Sequence, residues 1–113
     1  MAYDHDLAER IRFLAEGEPG LTEKPMFGGL AFLVNGHMAV AASGQGGLLA
    51  RADPARVDEL LAESGVERAV MRGRAMDGWL RVSAACVAGD DDLERWVRRC
   101  LEHAQSLPPK RQA

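Results

Sequence analysis

Hydrophobic positions recur with a helical period at both ends of the chain. An apolar stripe near the N-terminus, capped by Asp4 or Asp6, consists of Leu7, Ile11 and Leu14. The same period returns from Leu93 to Ala104, after three consecutive aspartates whose charge suits a helix N-terminus. The pattern therefore predicts an amphipathic helix at each end, with a frayed tail at residues 108–113.

The clearest local signal between these helices is a hairpin. Residues 30–34 and 37–42 are apolar runs joined by Asn35-Gly36, the dipeptide best suited to a type I′ turn with both residues at positive φ. Both faces of the two strands are apolar, and the heavy Phe32 alternates with small alanines. We therefore expect the hairpin to lie inside a sheet, tightly packed on at least one side.

Further strands and a second helix complete the predicted order. Residues 48–52 form a third antiparallel strand, and residues 22–27 form one only at an edge or a bulge because Pro25 interrupts them. Asp53-Pro54 begins the second helix. Residues 68–71 and 79–82 are short strand candidates joined by an irregular connection. The order α-β-β-β-α-β-β-α predicts one two-layer α+β domain over residues 1–113, with about five antiparallel strands covered by helices.

Composition and charge exclude several classes of protein for this chain. The chain has 113 residues, a formal net charge of −3 and two cysteines, which excludes a wholly basic nucleic-acid binder and a disulfide framework. Its apolar runs are too short for a membrane span, and its acidic start is unlike a signal peptide. We therefore expect a cytoplasmic protein that does not enter a membrane.

The charge is unevenly distributed, and the second half of the chain is basic. Arg72, Arg74 and Arg81 lie close together with few acidic neighbours. Together with Lys24 they are candidates to contact phosphate or an acidic partner, although a solvated sheet edge is the simpler explanation. Trp79 lies between two of these arginines and is a candidate exposed anchor for a partner.

Signals for chemistry are weak. Cys100 and His103 share one face of the last helix, but Cys86, His5 and His37 do not complete a zinc-binding spacing. No serine or cysteine is placed beside a histidine and an acid in sequence. We therefore expect no catalytic residue, metal or cofactor. A small-ligand pocket is the weakest hypothesis, and its candidate lining is Met26, Phe27, Met38 and Met71.

Three sequence elements together resemble the N-terminal domain of the TfoX/Sxy family. They are Met26-Phe27-Gly28-Gly29, the Asn35-Gly36 hairpin and Met76-Asp77-Gly78-Trp79, and the resemblance covers residues 5–110. It implies a secretion-chaperone-like α+β fold and a structural role for the motif residues Met26, Phe27, Gly28, Gly29, Asn35, Gly36 and Gly78. The resemblance also implies that this protein is related to transcription regulators. Longer members of the family control natural competence genes with the cyclic-AMP receptor protein and carry a second helical domain after this one. The resemblance here covers the first domain, so we expect a stand-alone first domain.

Three functional hypotheses follow. The first is a non-enzymatic regulatory module that binds another protein through a sheet edge, Trp79 and the arginine cluster. The second is direct nucleic-acid binding, with phosphate contacts from Lys24, Arg72, Arg74 and Arg81. The third is a small-ligand site or an enzyme of unknown reaction. Exposed strand edges also favour a homodimer.

Overall fold

The computed structural model describes residues 3–26, 28–71 and 73–108. Its helices are α1 (His5–Ala15), α2 (Val57–Leu61) and α3 (Asp90–Ser106). Its strands are β1 (Leu21–Met26), β2 (Gly29–Val34), β3 (His37–Ala42), β4 (Leu48–Arg51), β5 (Val66–Met71) and β6 (Arg74–Val82). Two 3-10 turns, Pro54–Arg56 and Ala84–Val87, precede α2 and α3.

The described strands form one antiparallel sheet in the order β1-β2-β3-β4-β6-β5. The expected α+β class and order of elements are confirmed, and the sheet of about five strands has six. The additional strand is β1, which contains Pro25 and lies at the edge of the sheet. An edge strand tolerates proline because the missing N–H group removes no hydrogen bond from the interior of the sheet.

The β2–β3 hairpin forms as the Asn35-Gly36 pair predicts. Asn35 has a φ of 53° and Gly36 a φ of 87°, so both turn residues occupy the left-handed region of a type I′ turn. The pairing register shifts between Phe32 and Leu33, where β3 carries one extra residue. Both strands lie inside the sheet, as expected from their apolar faces.

The second hairpin differs from the sequence expectation. Most of the segment predicted as an irregular connection is strand, because β6 begins at Arg74 and pairs with Met71 at the tip. The irregularity lies within the strands instead. The pairs Arg68↔Leu80 and Val70↔Ala75 are two residues apart on β5 but five apart on β6. The first part of β6 was not predicted because its polar and glycine residues lack the alternation of a strand. Its strand conformation depends on pairing with β5, which is a tertiary contact.

The helices and one face of the sheet enclose the core. The predicted stripes of α1 and α3 are buried, with Leu14 partly buried, and Asp4 caps α1 through bonds to two backbone N–H groups. Trp96 and Phe32 are fully buried, as expected for core aromatics. Among the described residues, no helix is both long enough and apolar enough to cross a membrane.

Candidate functional site

Helices cover one face of the sheet, and no helix in the described part of the chain lies against the other face. The buried residues of all three helices join a single core with alternate strand residues such as Phe32, Leu48 and Leu80. Their sequence neighbours point to the opposite side because side chains alternate along a strand. This opposite side is the open face, formed by Lys24, Ala31, Leu33, Met38, Ala41, Leu49, Arg51, Glu67, Trp79 and Arg81.

Strand register brings distant parts of the sequence together on the open face. Lys24 pairs with Ala31, which pairs with Ala41, and the row continues through Leu49 to Arg81. Four strand spacings of about 4.8 Å separate Lys24 from Arg81, a span of about 19 Å. Ala31 and Ala41, near the middle of this row, have short side chains and are buried. The row therefore has a low centre and a cation towards each end.

Trp79 occupies the neighbouring position on β6 and is half-buried. It pairs with Arg51 on β4, whose guanidinium carbon lies 5.3 Å from the centre of the indole ring. A cation at this distance over an aromatic ring is attracted by the negative charge of the ring face. Leu33 and Met38, also half-buried and paired with each other, continue the apolar surface on β2 and β3.

Arg81 is held by the loop that joins β3 to β4. Its Nη1 donates to the side-chain oxygen of Gln45. Glu67 on β5 is the cross-strand partner of Arg81. The loop therefore contacts the open face, and a cavity of about 220 Å³ lies beside Arg81, with Gly65, Glu67 and Ser83 among its lining residues. The glycines of this loop do not begin a helix, so the loop lacks the geometry of a phosphate-binding turn.

Basic side chains divide into two groups by their ion pairs. Seven arginines form ion pairs with carboxylates: Arg10, Arg12, Arg56, Arg68, Arg95, Arg98 and Arg99. Lys24, Arg51, Arg74 and Arg81 make no ion pair with any residue that the structure describes. Three of these four cations lie on the open face, and Arg74 lies at the tip of the β5–β6 hairpin.

Sequence reasoning found part of this surface. The structure brings Lys24, Trp79 and Arg81 onto one face, whereas Arg74 stands apart from them and Arg72 lies outside the described residues. Arg51, Leu33 and Leu49 were not predicted from the sequence, and Met38 was a candidate only for the lining of a small-ligand pocket. Period-two alternation in β4 was the available signal for Leu49 and Arg51.

The motif residues shape the backbone near this surface. Gly29 lies against the carbonyl oxygen of Ala42, and a Cβ atom at this position would collide with that oxygen. Close approach of two strands therefore requires glycine here. Gly28 and Gly78 have positive φ angles, Met26 ends β1 at the sheet edge, and Phe27 lies outside the described residues.

The described residues offer little support for a methionine-lined pocket. Met26 pairs with Gly29 at one end of β2, and Met38 pairs with Leu33 towards the other end. Four residues of strand separate these positions, about 13 Å. Phe27 and the side chain of Met71 lie outside the described part of the chain, so the remaining two candidates do not meet.

Titratable groups are not arranged for chemistry in the described part of the chain. Cys86 Sγ lies 2.9 Å from the Ser64 carbonyl oxygen and 3.2 Å from Ser83 Oγ, and neither group is a general base. His37 Nε2 lies 2.5 Å from the Pro108 carbonyl oxygen and donates to it. No group of three or more described His, Cys, Asp or Glu side chains has the geometry to hold a metal ion.

The fold and this surface define a two-layer α+β domain with one uncovered sheet face. The chain belongs to the TfoX N-terminal domain family, whose model matches residues 13–104. The family is of a regulatory type and is not a known enzyme family. Searches of curated proteins and of solved structures found no match to the chain.

Proposed function

We propose that this protein is a non-enzymatic regulatory module that binds an acidic segment of another protein on the open face. The observation that carries the proposal is the division of the basic side chains. Arginines on the helical side form ion pairs with carboxylates of the same chain, whereas Lys24, Arg51 and Arg81 form none with the residues that the structure describes. Cations without internal partners are available to carboxylates of a binding partner.

Trp79 supplies the apolar part of the proposed contact. A half-buried tryptophan on the same face as Leu33, Met38 and Leu49 presents a rigid aromatic surface at low entropic cost, and such residues dominate binding energy at interfaces. Arg51 over its ring would be desolvated with it, which strengthens both the cation–π contact and any ion pair with the partner. Family membership supports a regulatory role, related to the control of competence genes, rather than an enzymatic one.

The first test is affinity capture from nuclease-treated extract of the source cell, comparing wild-type bait with Trp79→Ala and with Arg51→Ala/Arg81→Ala. We expect one specific protein whose recovery falls about tenfold with either variant, as for loss of an interface hot spot. The matched control is Arg95→Ala/Arg98→Ala, which removes two arginines from the helical side and should leave recovery unchanged. Equal loss with the control, or no specific protein, would overturn the proposal.

Direct nucleic-acid binding is the second candidate, favoured by the guanidinium stacked on Trp79 between further unpaired cations. Single-strand binders combine aromatic rings with such cations. This candidate predicts that capture disappears after nuclease treatment. It also predicts that affinity for a labelled oligonucleotide falls linearly with salt on a double-logarithmic plot, and falls in the variant Lys24→Ala/Arg72→Ala/Arg74→Ala/Arg81→Ala. An oligonucleotide affinity that this variant retains would exclude it.

A further inference from the structure

A second surface, on the helical side of the molecule, is an apolar groove between α1 and α3. The groove has a volume of about 390 Å³, and its floor and walls include Phe13, Leu14 and Leu93. Arg10 crosses one end, where it donates to Asp90 at 3.0 Å and to the carbonyl oxygens of Val87 and Ala88. These bonds hold the start of α3 against α1, so the relative position of the two groove walls is fixed by hydrogen bonds.

The exposure of the Phe13 side chain is not explained by packing within the fold. It lies on α1 with 75% of its surface exposed, whereas Ile11, two residues earlier, is completely buried. The other large hydrophobic residue with comparable exposure in the described chain is Val70, on the opposite layer. An exposed aromatic ring on the wall of an apolar groove is typical of a surface that a partner covers.

The groove has an acidic rim. Glu9 and Glu94 stand on its two walls, and Asp90 stands at its end. Residues 4–16 carry four acidic and two basic side chains, and residues 90–95 carry four acidic and one basic. Glu9 and Glu94 pair with exposed arginines of their own helices, Arg12 and Arg98, and Asp90 pairs with Arg10 at the end of the groove. Exposed pairs of this kind are weak, so a cation of a partner can take the place of the arginine beside Glu9 or Glu94.

We propose that this groove binds a basic amphipathic helix of a partner protein, with the apolar side chains of that helix against Phe13, Leu14 and Leu93. The charge of the rim selects lysine and arginine on the flanks of the incoming helix. The groove is open along the side where Phe13 is exposed, which suits a segment lying between two helices. The binding surface is separate from the open face and has the opposite charge.

A second copy of this chain is a poorer occupant. A symmetric dimer formed through the groove would place the same patch on both subunits. Each copy would then bring three lining carboxylates, Glu9, Asp90 and Glu94, and one lining arginine, Arg10, to the interface, and this excess of like charge disfavours association. The acidic rim therefore favours a basic partner over self-association.

The test uses a fluorescein-labelled synthetic helix of about 14 residues, with leucines at i, i+4 and i+7 and lysines on the flanks. Binding to the whole protein is followed by fluorescence anisotropy. One control peptide has the same composition with its leucines scrambled, and another carries glutamate at every lysine. We expect the first peptide to bind and both controls to bind at least about tenfold more weakly.

Two variants with matched controls locate the site. Phe13→Ala should weaken binding about tenfold, whereas Val70→Ala, which truncates the other exposed large hydrophobic residue, should not. Glu94→Arg should weaken binding at low salt with a smaller effect at high salt, whereas Glu102→Arg, on the same helix but away from the groove, should not. Circular dichroism melting of each variant checks that the fold is retained.

Several results would overturn the proposal. They are no binding of the lysine peptide at about 1 mM, equal binding of the scrambled or glutamate peptide, and equal losses with Phe13→Ala and Val70→Ala. Sedimentation equilibrium is the remaining check. A dimer of the wild-type protein that Phe13→Ala dissociates would assign the groove to a second copy and contradict the basic helix.

Discussion

At the scale of single residues, environment rather than residue type decides what each charged or reactive side chain does. Arg12 donates to both carboxylate oxygens of Glu23, at 2.6 and 2.9 Å, and these bonds lower the pKa of Glu23. The pair favours the charged carboxylate in the folded state, so its contribution to stability is present above the usual pKa of glutamate and is lost as pH falls. Arg51 forms no ion pair with a described carboxylate, and its guanidinium lies over the ring of Trp79.

The two cysteines illustrate the same contrast and give a prediction. Cys100 is completely buried, and its desolvation raises the pKa of the thiol to about 12, whereas Cys86 is partly exposed. A buried thiol cannot react as a thiolate. We expect iodoacetamide at neutral pH to give one adduct, on Cys86, in the native protein and two adducts in denaturant, as measured by mass spectrometry. Native labelling of Cys100 would contradict this.

The pKa of Cys100 also sets a pH dependence. Its value in the folded state is above the ordinary 9.0, so folding favours the protonated thiol. The contribution to the free energy of unfolding is therefore complete below pH 9.0 and declines as pH rises towards 12. Denaturant midpoints measured across this range should fall less steeply in Cys100→Ala than in the wild-type protein.

At the scale of elements, the hairpin β2–β3 is defined by its turn. Asn35 and Gly36 both have positive φ, which glycine adopts freely and asparagine adopts better than other residues with side chains. The turn joins two strands that lie inside the sheet and have one face in the core, so a change in the turn is transmitted to the register of the sheet.

This turn gives a second stability prediction. Gly36→Ala should lower the free energy of unfolding by about 1–2 kcal/mol, because alanine is strained in the left-handed region. Gly36→Asn is the matched control and should cost less, since asparagine tolerates that region. Urea denaturation measures both changes. Equal losses in the two variants would show that the side chain, rather than the backbone conformation, causes the effect.

At the scale of the whole molecule, charge is separated between two layers. The open face carries three cations, Lys24, Arg51 and Arg81, against Glu67, and the groove on the opposite layer carries three carboxylates, Glu9, Asp90 and Glu94, against Arg10. The sheet and its buried core lie between the two surfaces. Charges on opposite sides of a small domain interact weakly at physiological salt, so each surface acts by itself.

Separation of the surfaces predicts independent effects of mutation. Trp79→Ala should reduce capture of the acidic partner while leaving affinity for the lysine peptide within about twofold. Phe13→Ala should do the reverse. Capture assays and peptide anisotropy on the two single variants measure this. Loss of both activities with either variant would indicate a general effect on the fold, which melting curves would reveal.

Much of the fold follows from local patterns in the sequence. The stripes of α1 and α3, the Asp4 cap and the Asn35-Gly36 turn were all predictable, because periodicity and positive-φ preferences act over a few residues. The full length of β6 was not. Residues 74–78 are polar or small except for Met76 and do not alternate in the way typical of a strand, and pairing with β5 makes them one.

Sequence by itself determined which residues are apolar, basic or turn-forming, and it identified Lys24, Trp79 and Arg81 as candidates. Tertiary structure alone decided that these three share one face while Arg74 does not, because strand register places residues far apart in sequence side by side. It also decided which arginines form ion pairs with carboxylates. Ion pairing depends on distances of a few ångströms in space, and spacing along the chain does not encode them.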